Sequence, residues 1–156
     1  MRPDLLLLLF AVGCGPTSED GPACEPGDAP TLDIGDGVEA FNALEEGDTI
    51  ELVYGAQGGH HIEIGLEATY IDADDLLAGT ITGTIGGEVL ATTAPWLDFR
   101  CNGGESLQSW GTRLVFDVPP EDVHDVDVVV DAEVTDVAGT VVTASKTMHI
   151  MDPTVR

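Results

Sequence analysis

The sequence predicts an all-β sandwich, on three observations. Apolar and polar residues alternate in short runs, glycine pairs separate those runs, and no stretch carries a long helical period. In order along the chain, residues 49–54 form a first strand. Residues 61–70 alternate over ten positions, with Ile62, Ile64, Leu66 and Ala68 on one face. Residues 79–85, 88–93, 97–100 and 112–118 follow as further strands. Residues 126–134 give the cleanest alternation (Val126, Val128, Val130, Ala132, Val134). The turn Asp136-Val137-Ala138-Gly139 then leads into a return strand over 141–150, so the last two strands read as a hairpin. Glycine pairs at 58–59, 86–87 and 103–104 mark other turns. Seven or eight strands in about 120 residues suit a sandwich of two packed sheets.

Composition narrows the partners. Twenty-nine acidic residues face five basic ones, a formal charge of −24 in 156 residues. Such a chain repels phosphate backbones and anionic headgroups, which excludes nucleic acid as a partner. High acidity alone would suggest disorder, but 43% of the residues are hydrophobic, enough for a packed core.

The N-terminus reads as an address. Arg2 precedes an apolar run of about eight residues from Leu5 to Val12, too short for the ~20 that span a bilayer. Ala11-Val12-Gly13-Cys14 resembles the lipobox of bacterial lipoproteins, whose cysteine is acylated and becomes the first residue of the mature chain. Residues 1–13 are then a lipoprotein signal peptide, and Cys14 carries the lipid that anchors the chain in a bilayer. Gly15 in place of Asp implies sorting to the outer membrane. Residues 14–30 are rich in proline, glycine and acids, with no aliphatic side chain larger than alanine, so they read as a disordered tether. Residues 31–152 form the sandwich and 153–156 a tail. Cys14, Cys24 and Cys101 are an odd number; with Cys14 acylated, Cys24 and Cys101 are left to pair in an oxidising compartment.

Two resemblances refine the fold and family. The segment from Pro119 to the end resembles the last two strands of an immunoglobulin-like domain. Phe41-Asn42-Ala43-Leu44-Glu45-Glu46-Gly47-Asp48, a strand, and then Gly55-Ala56-Gln57-Gly58-Gly59-His60-His61 resemble a block found in uncharacterised lipoproteins of myxobacteria and their relatives. His61 falls on the histidine of that block and His60 on a variable position. The resemblance implies no activity.

The same glycine-rich turn is the first candidate site. Its two glycines permit close backbone approach, so Gln57, Gly58, Gly59 and His61 are either a ligand site or a structural bend in which His61 bonds a backbone carbonyl. Adjacent strand residues point to opposite faces, which keeps His60 and His61 from sharing one metal. His124, His149, Met148, Met151 and Cys101 offer the donor types of copper centres, but without the clustered spacing those centres use. Asp72, Asp74 and Asp75, and Asp122 and Asp125, are the densest carboxylate groups and the weak candidates for calcium; no other cofactor is indicated. Ser106, Ser109 and Ser145 lack a nucleophile setting. The expected function is a non-enzymatic binding or structural role at the cell surface, with the bilayer and an unknown protein or surface polymer as partners. A calcium-binding module is the alternative, and a small hydrolase stands behind it.

Overall fold

The computed structural model describes residues 23–56 and 58–154. The signal peptide, Cys14, the first part of the tether, Gln57 and the last two residues of the tail lie outside them. Twelve strand segments form two six-stranded sheets. The first sheet contains β1 (Thr31–Asp36), β2 (Asn42–Ala43), β4 (Val53–Tyr54), β5 (His60–Thr69), β9 (Arg100–Asn102) and β10 (Ser106–Phe116). The second contains β3 (Thr49–Glu51), β6 (Leu77–Ile85), β7 (Glu88–Thr93), β8 (Trp96–Leu97), β11 (Val126–Thr135) and β12 (Val141–Met151). The order β1-β5-β10-β9 faces β12-β11-β6, which is the immunoglobulin arrangement of an A-B-E-D sheet on a G-F-C sheet. A 3₁₀ turn at Pro120–Asp122 joins β10 to β11.

The core follows from the alternation. Ile62, Ile64, Leu66 and Ala68 of β5 point inward against Val128, Val130, Ala132 and Val134 of β11 and Met148 and Ile150 of β12, and all are buried. The hairpin β11–β12 is in continuous register from Val126↔Ile150 to Thr135↔Val141. Its turn is closed by Asp136, whose N–H donates to Thr140 O (2.9 Å) and whose Oδ1 accepts from Thr140 N (2.6 Å). Gly86 and Gly87, both with positive φ, close the two-residue hairpin between β6 and β7.

The fold departs from the sequence reading in four places. Residues 97–100 are not one strand: Leu97 ends β8 in the second sheet and Arg100 begins β9 in the first, so the chain changes sheet across Asp98 and Phe99. Residues 49–54 are not one strand. Thr49–Glu51 pairs in parallel with β12 in the second sheet, whereas Val53–Tyr54 pairs with β5 in the first, so the chain changes sheet at the buried Leu52. β10 begins at Ser106 rather than 112. A bulge between Ser109 and Thr112 inserts one extra residue opposite Leu66–Ile64, so the inward side switches from Leu107 and Ser109 to Leu114 and Phe116. That switch hides the period-two signal across Trp110-Gly111. β1 and β2 carry no sequence signal because Gly35, Asp33 and Asp36 are poor strand formers, and two-residue β2 is too short for any period. β1 holds because Gly35 lies opposite Gly65 and the Phe41 ring covers both. A Cβ at Gly35 would come within 2.8 Å of that ring, and one at Gly65 within 3.0 Å.

The distal tether is ordered against the sandwich. Tyr70 N donates to Ala23 O (2.8 Å), Ala23 N to Gly104 O (3.0 Å) and Gly27 N to Tyr70 O (3.0 Å). These bonds and the Cys24–Cys101 disulfide hold Ala23, Cys24 and Gly27 against the sandwich.

Candidate functional site

The glycine turn brings two histidines to the start of β5 and sends them to opposite faces. Gly58 N donates to Gly55 O (3.0 Å) and Gly55 N to Gly59 O (2.7 Å), with Gly58 at φ 90°, a conformation that suits glycine. His60 points inward and is 6% exposed. It stacks on Phe116 with 6.4 Å between ring centroids and 12° between planes, and the Tyr54 ring lies 6.3 Å away. Its Nε2 is buried and has no hydrogen-bond partner among the described residues. A shallow cavity of about 330 Å³ opens beside it, lined by Gly58, Gly59, His60, Phe116, Asp117 and Pro119 among others.

His61 points outward and is already engaged. Its Nε2 lies 3.0 Å from Glu63 Oε1, which also accepts from Arg113 Nε at 3.3 Å. The structural expectation of a bond from His61 to a backbone carbonyl is corrected: the partner is a carboxylate two residues along the same outer face, where β-strand geometry brings it into reach. Of the expected set, Gly58, Gly59 and His61 share the bend, but His60, not His61, lines the cavity.

A second polar cluster gathers near the C-terminal end of β12. Tyr54 donates its phenol proton to Asp152, a buried side chain. Asp152 Oδ1 also accepts from Thr154 N (2.8 Å) and Oγ1 (2.7 Å), and Asp152 N donates to His124 Nδ1 (3.1 Å). The carboxylate holds the Tyr54 proton and raises that phenol above its ordinary range, with burial adding to the shift. The same bond, then those from Thr154, hold Asp152 below the ordinary carboxylate range. Nearby on the outer face, His149 lies between Asp127 and Asp125. Bonds to Asp127 first and Asp125 second raise its imidazole above its ordinary value.

The carboxylate groups named from the sequence stand at opposite ends of the molecule. Asp72, Asp74 and Asp75 lie between β5 and β6, beside the β11–β12 turn, where Val137 N donates to Asp72 O. Asp122 and Asp125 lie beyond the other end of β11, about 30 Å away along a ten-residue strand. Three of the five carboxylates bond local backbone or side-chain partners. Asp72 Oδ1 accepts from Asp74 N (3.4 Å), Asp75 Oδ1 from Leu76 N (2.8 Å) and Asp125 Oδ1 bonds His149 (3.1 Å). Among the described residues no group of three or more His, Cys, Asp or Glu side chains is arranged to hold a metal ion.

Cys24 and Cys101 are joined by a disulfide, their Cα atoms 5.6 Å apart and 77 residues distant in sequence. The bond ties the segment before β1 to β9, and it removes Cys101 from the soft donors considered for copper. Met148 is buried in the core, and His124 and His149 serve separate bonding sets.

Lys146 escaped the sequence reading. It stands at an inward position of β12, between Ala144 and Met148, and donates to Leu44 O (2.7 Å), to Ile34 O and to Asp33 Oδ1 (2.7 Å). Three acceptors match the three protons of an ammonium, which fixes β1 to β12 across the open side of the sandwich. The signal was a lysine within the inward series Val142, Ala144, Met148, Ile150.

No protein-family model matches the chain, and no curated protein matches it. Among solved structures, the chain is similar to a DUF4466 family protein from Parabacteroides merdae, at 14% identity with a TM-score of 0.36. The match covers 77% of this chain and 44% of that one, so the chain spans under half the length of that protein.

Proposed function

We propose that the chain is an exported envelope lipoprotein, anchored by a lipid on Cys14, whose acidic sandwich has a non-enzymatic binding or structural role at the cell surface. The cysteine pairing is the observation that carries this reading. Cys24 and Cys101 bond to each other, which leaves Cys14 as the remaining cysteine, directly after the apolar run and the lipobox-like Ala11-Val12-Gly13. A disulfide that closes so long a loop is at home in an oxidising compartment outside the cytoplasm. Eight residues, 15–22, separate Cys14 from the first described residue, Ala23. The resemblance of residues 41–61 to lipoproteins of myxobacteria agrees with this address, and Gly15 favours the outer membrane.

The test is metabolic labelling with radioactive palmitate. The unaltered chain takes up label and fractionates with membranes, whereas Cys14→Ser does neither. Equal labelling of the two chains would overturn the proposal.

A further inference from the structure

Among the described residues, four of the nine exposed large hydrophobic side chains collect at one corner of the second sheet. Trp96 pairs with Ala78, Ala78 with Thr135, and Thr135 with Val141, one transverse row across β8, β6, β11 and β12. The neighbouring residues Leu77, Leu97, Val134 and Val142 are buried, so alternation turns Trp96, Ala78, Thr135 and Val141 outward. Leu76 directly precedes β6 and Val137 lies in the turn between β11 and β12, and both are exposed. Trp96 is 72% exposed, Val141 54%, Val137 53% and Leu76 51%. Asp75 Oδ1 accepts from Leu76 N and fixes the loop that presents Leu76. So large an exposed indole beside three aliphatic side chains marks an interaction site rather than scattered surface.

The corner lies at the end where the tether enters. Ala23 bonds Tyr70, and two residues on, Asp72 O accepts from Val137 N. These steps place Val137 within roughly 20 Å of Ala23. Cys14 precedes Ala23 by nine residues, a reach of at most about 32 Å. A lipid on Cys14 therefore keeps this corner within reach of the bilayer at high effective concentration.

We propose that the Trp96 corner docks on the lipid surface into which Cys14 is anchored, seating Trp96, Leu76, Val137 and Val141 among zwitterionic headgroups. The inference rests on the lipid-anchor reading above. Indole rings favour the membrane interface, where one end is apolar and the other wet. Charge selects the lipid: the exposed Asp74 and Asp75 beside Leu76 repel anionic headgroups, and a second copy would bring another −24 to the contact.

The experiment uses the full-length lipidated chain with Trp110→Phe, which leaves Trp96 as its single tryptophan, reconstituted in phosphatidylcholine vesicles with and without brominated acyl chains. The expected result is a roughly twofold loss of Trp96 emission with bromolipid, abolished by Leu76→Asp with Val137→Asp and reduced in phosphatidylglycerol vesicles. Should Trp110→Phe fail to fold, the difference in quenching between the unaltered chain and Trp96→Phe gives the same reading. A chain that carries palmitate and floats with the vesicles, yet shows unquenched Trp96, overturns the docking and leaves the anchor standing; the corner is then free or covered by protein. A chain without palmitate on Cys14 overturns the anchor, and the docking falls with it.

Discussion

His149 is held by Asp127 through Nδ1 at 2.8 Å and by Asp125 through Nε2 at 3.1 Å, and Asp125 adopts a left-handed conformation (φ 57°) that this residue type tolerates. Both bonds favour the imidazolium, so the folded-state pKa is raised above the ordinary 6.5. A raised pKa stabilises the fold fully below about pH 6.5, and that contribution is lost as pH rises through the folded value. We expect His149→Gln to lower the melting temperature by about 1–3 °C at pH 5.5, with the deficit shrinking by pH 9. Differential scanning calorimetry at the two pH values checks this; an equal deficit at both would show that the charge contributes nothing. Lys146 makes the complementary point. Its inward position was readable from the alternation of β12, but its three acceptors come from β1 and the segment after β2, more than a hundred residues earlier. No local pattern names them.

Four long strands were legible because apolar and polar side chains alternate along them. β5, β6, β11 and β12 carry uninterrupted alternation, and their spans fall within two residues of the sequence reading at each end. The misread elements share a cause: their pairing depends on something other than period. β3 and β4 belong to different sheets, as do β8 and β9, β10 carries a bulge, and β1 rests on a glycine pair under Phe41. The disulfide acts at this scale too, tying the segment before β1 to β9. Closing a loop of 77 residues is worth up to about 4–5 kcal/mol in chain entropy. The Cys24→Ser, Cys101→Ser chain should lose several kcal/mol in urea unfolding. It should also lose hydrogen-exchange protection at the Tyr70 and Gly27 amides, which donate to Ala23 and Tyr70. Protection unchanged at those amides would mean that the segment is seated without the bond.

Across the whole molecule, the excess of negative charge is an imbalance that no single contact cancels. The described cations are engaged: Arg100 with Asp98, Arg113 with Glu63, Lys146 with Asp33. The remaining carboxylates repel one another over distances that salt screens. Raising sodium chloride from about 0.05 to 0.5 M should therefore raise the melting temperature by several degrees. A flat or falling dependence would show that the acids are neutralised by bound cations or by pairing in the folded state.

The all-β class, the hairpin of β11 and β12 and the faces of β5, β6, β11 and β12 were legible in the sequence, and the pairing of Cys24 with Cys101 once Cys14 is read as acylated. Each of these is encoded in neighbours or in simple counts. Tertiary structure alone decided that His61 is held by Glu63 while His60 lines a cavity, that the carboxylate groups lie at opposite ends, and that Trp96, Leu76, Val137 and Val141 meet at one corner beside the tether. Those juxtapositions depend on sheet order and register between distant strands, and a pattern with period two states which face a residue takes without stating what stands beside it.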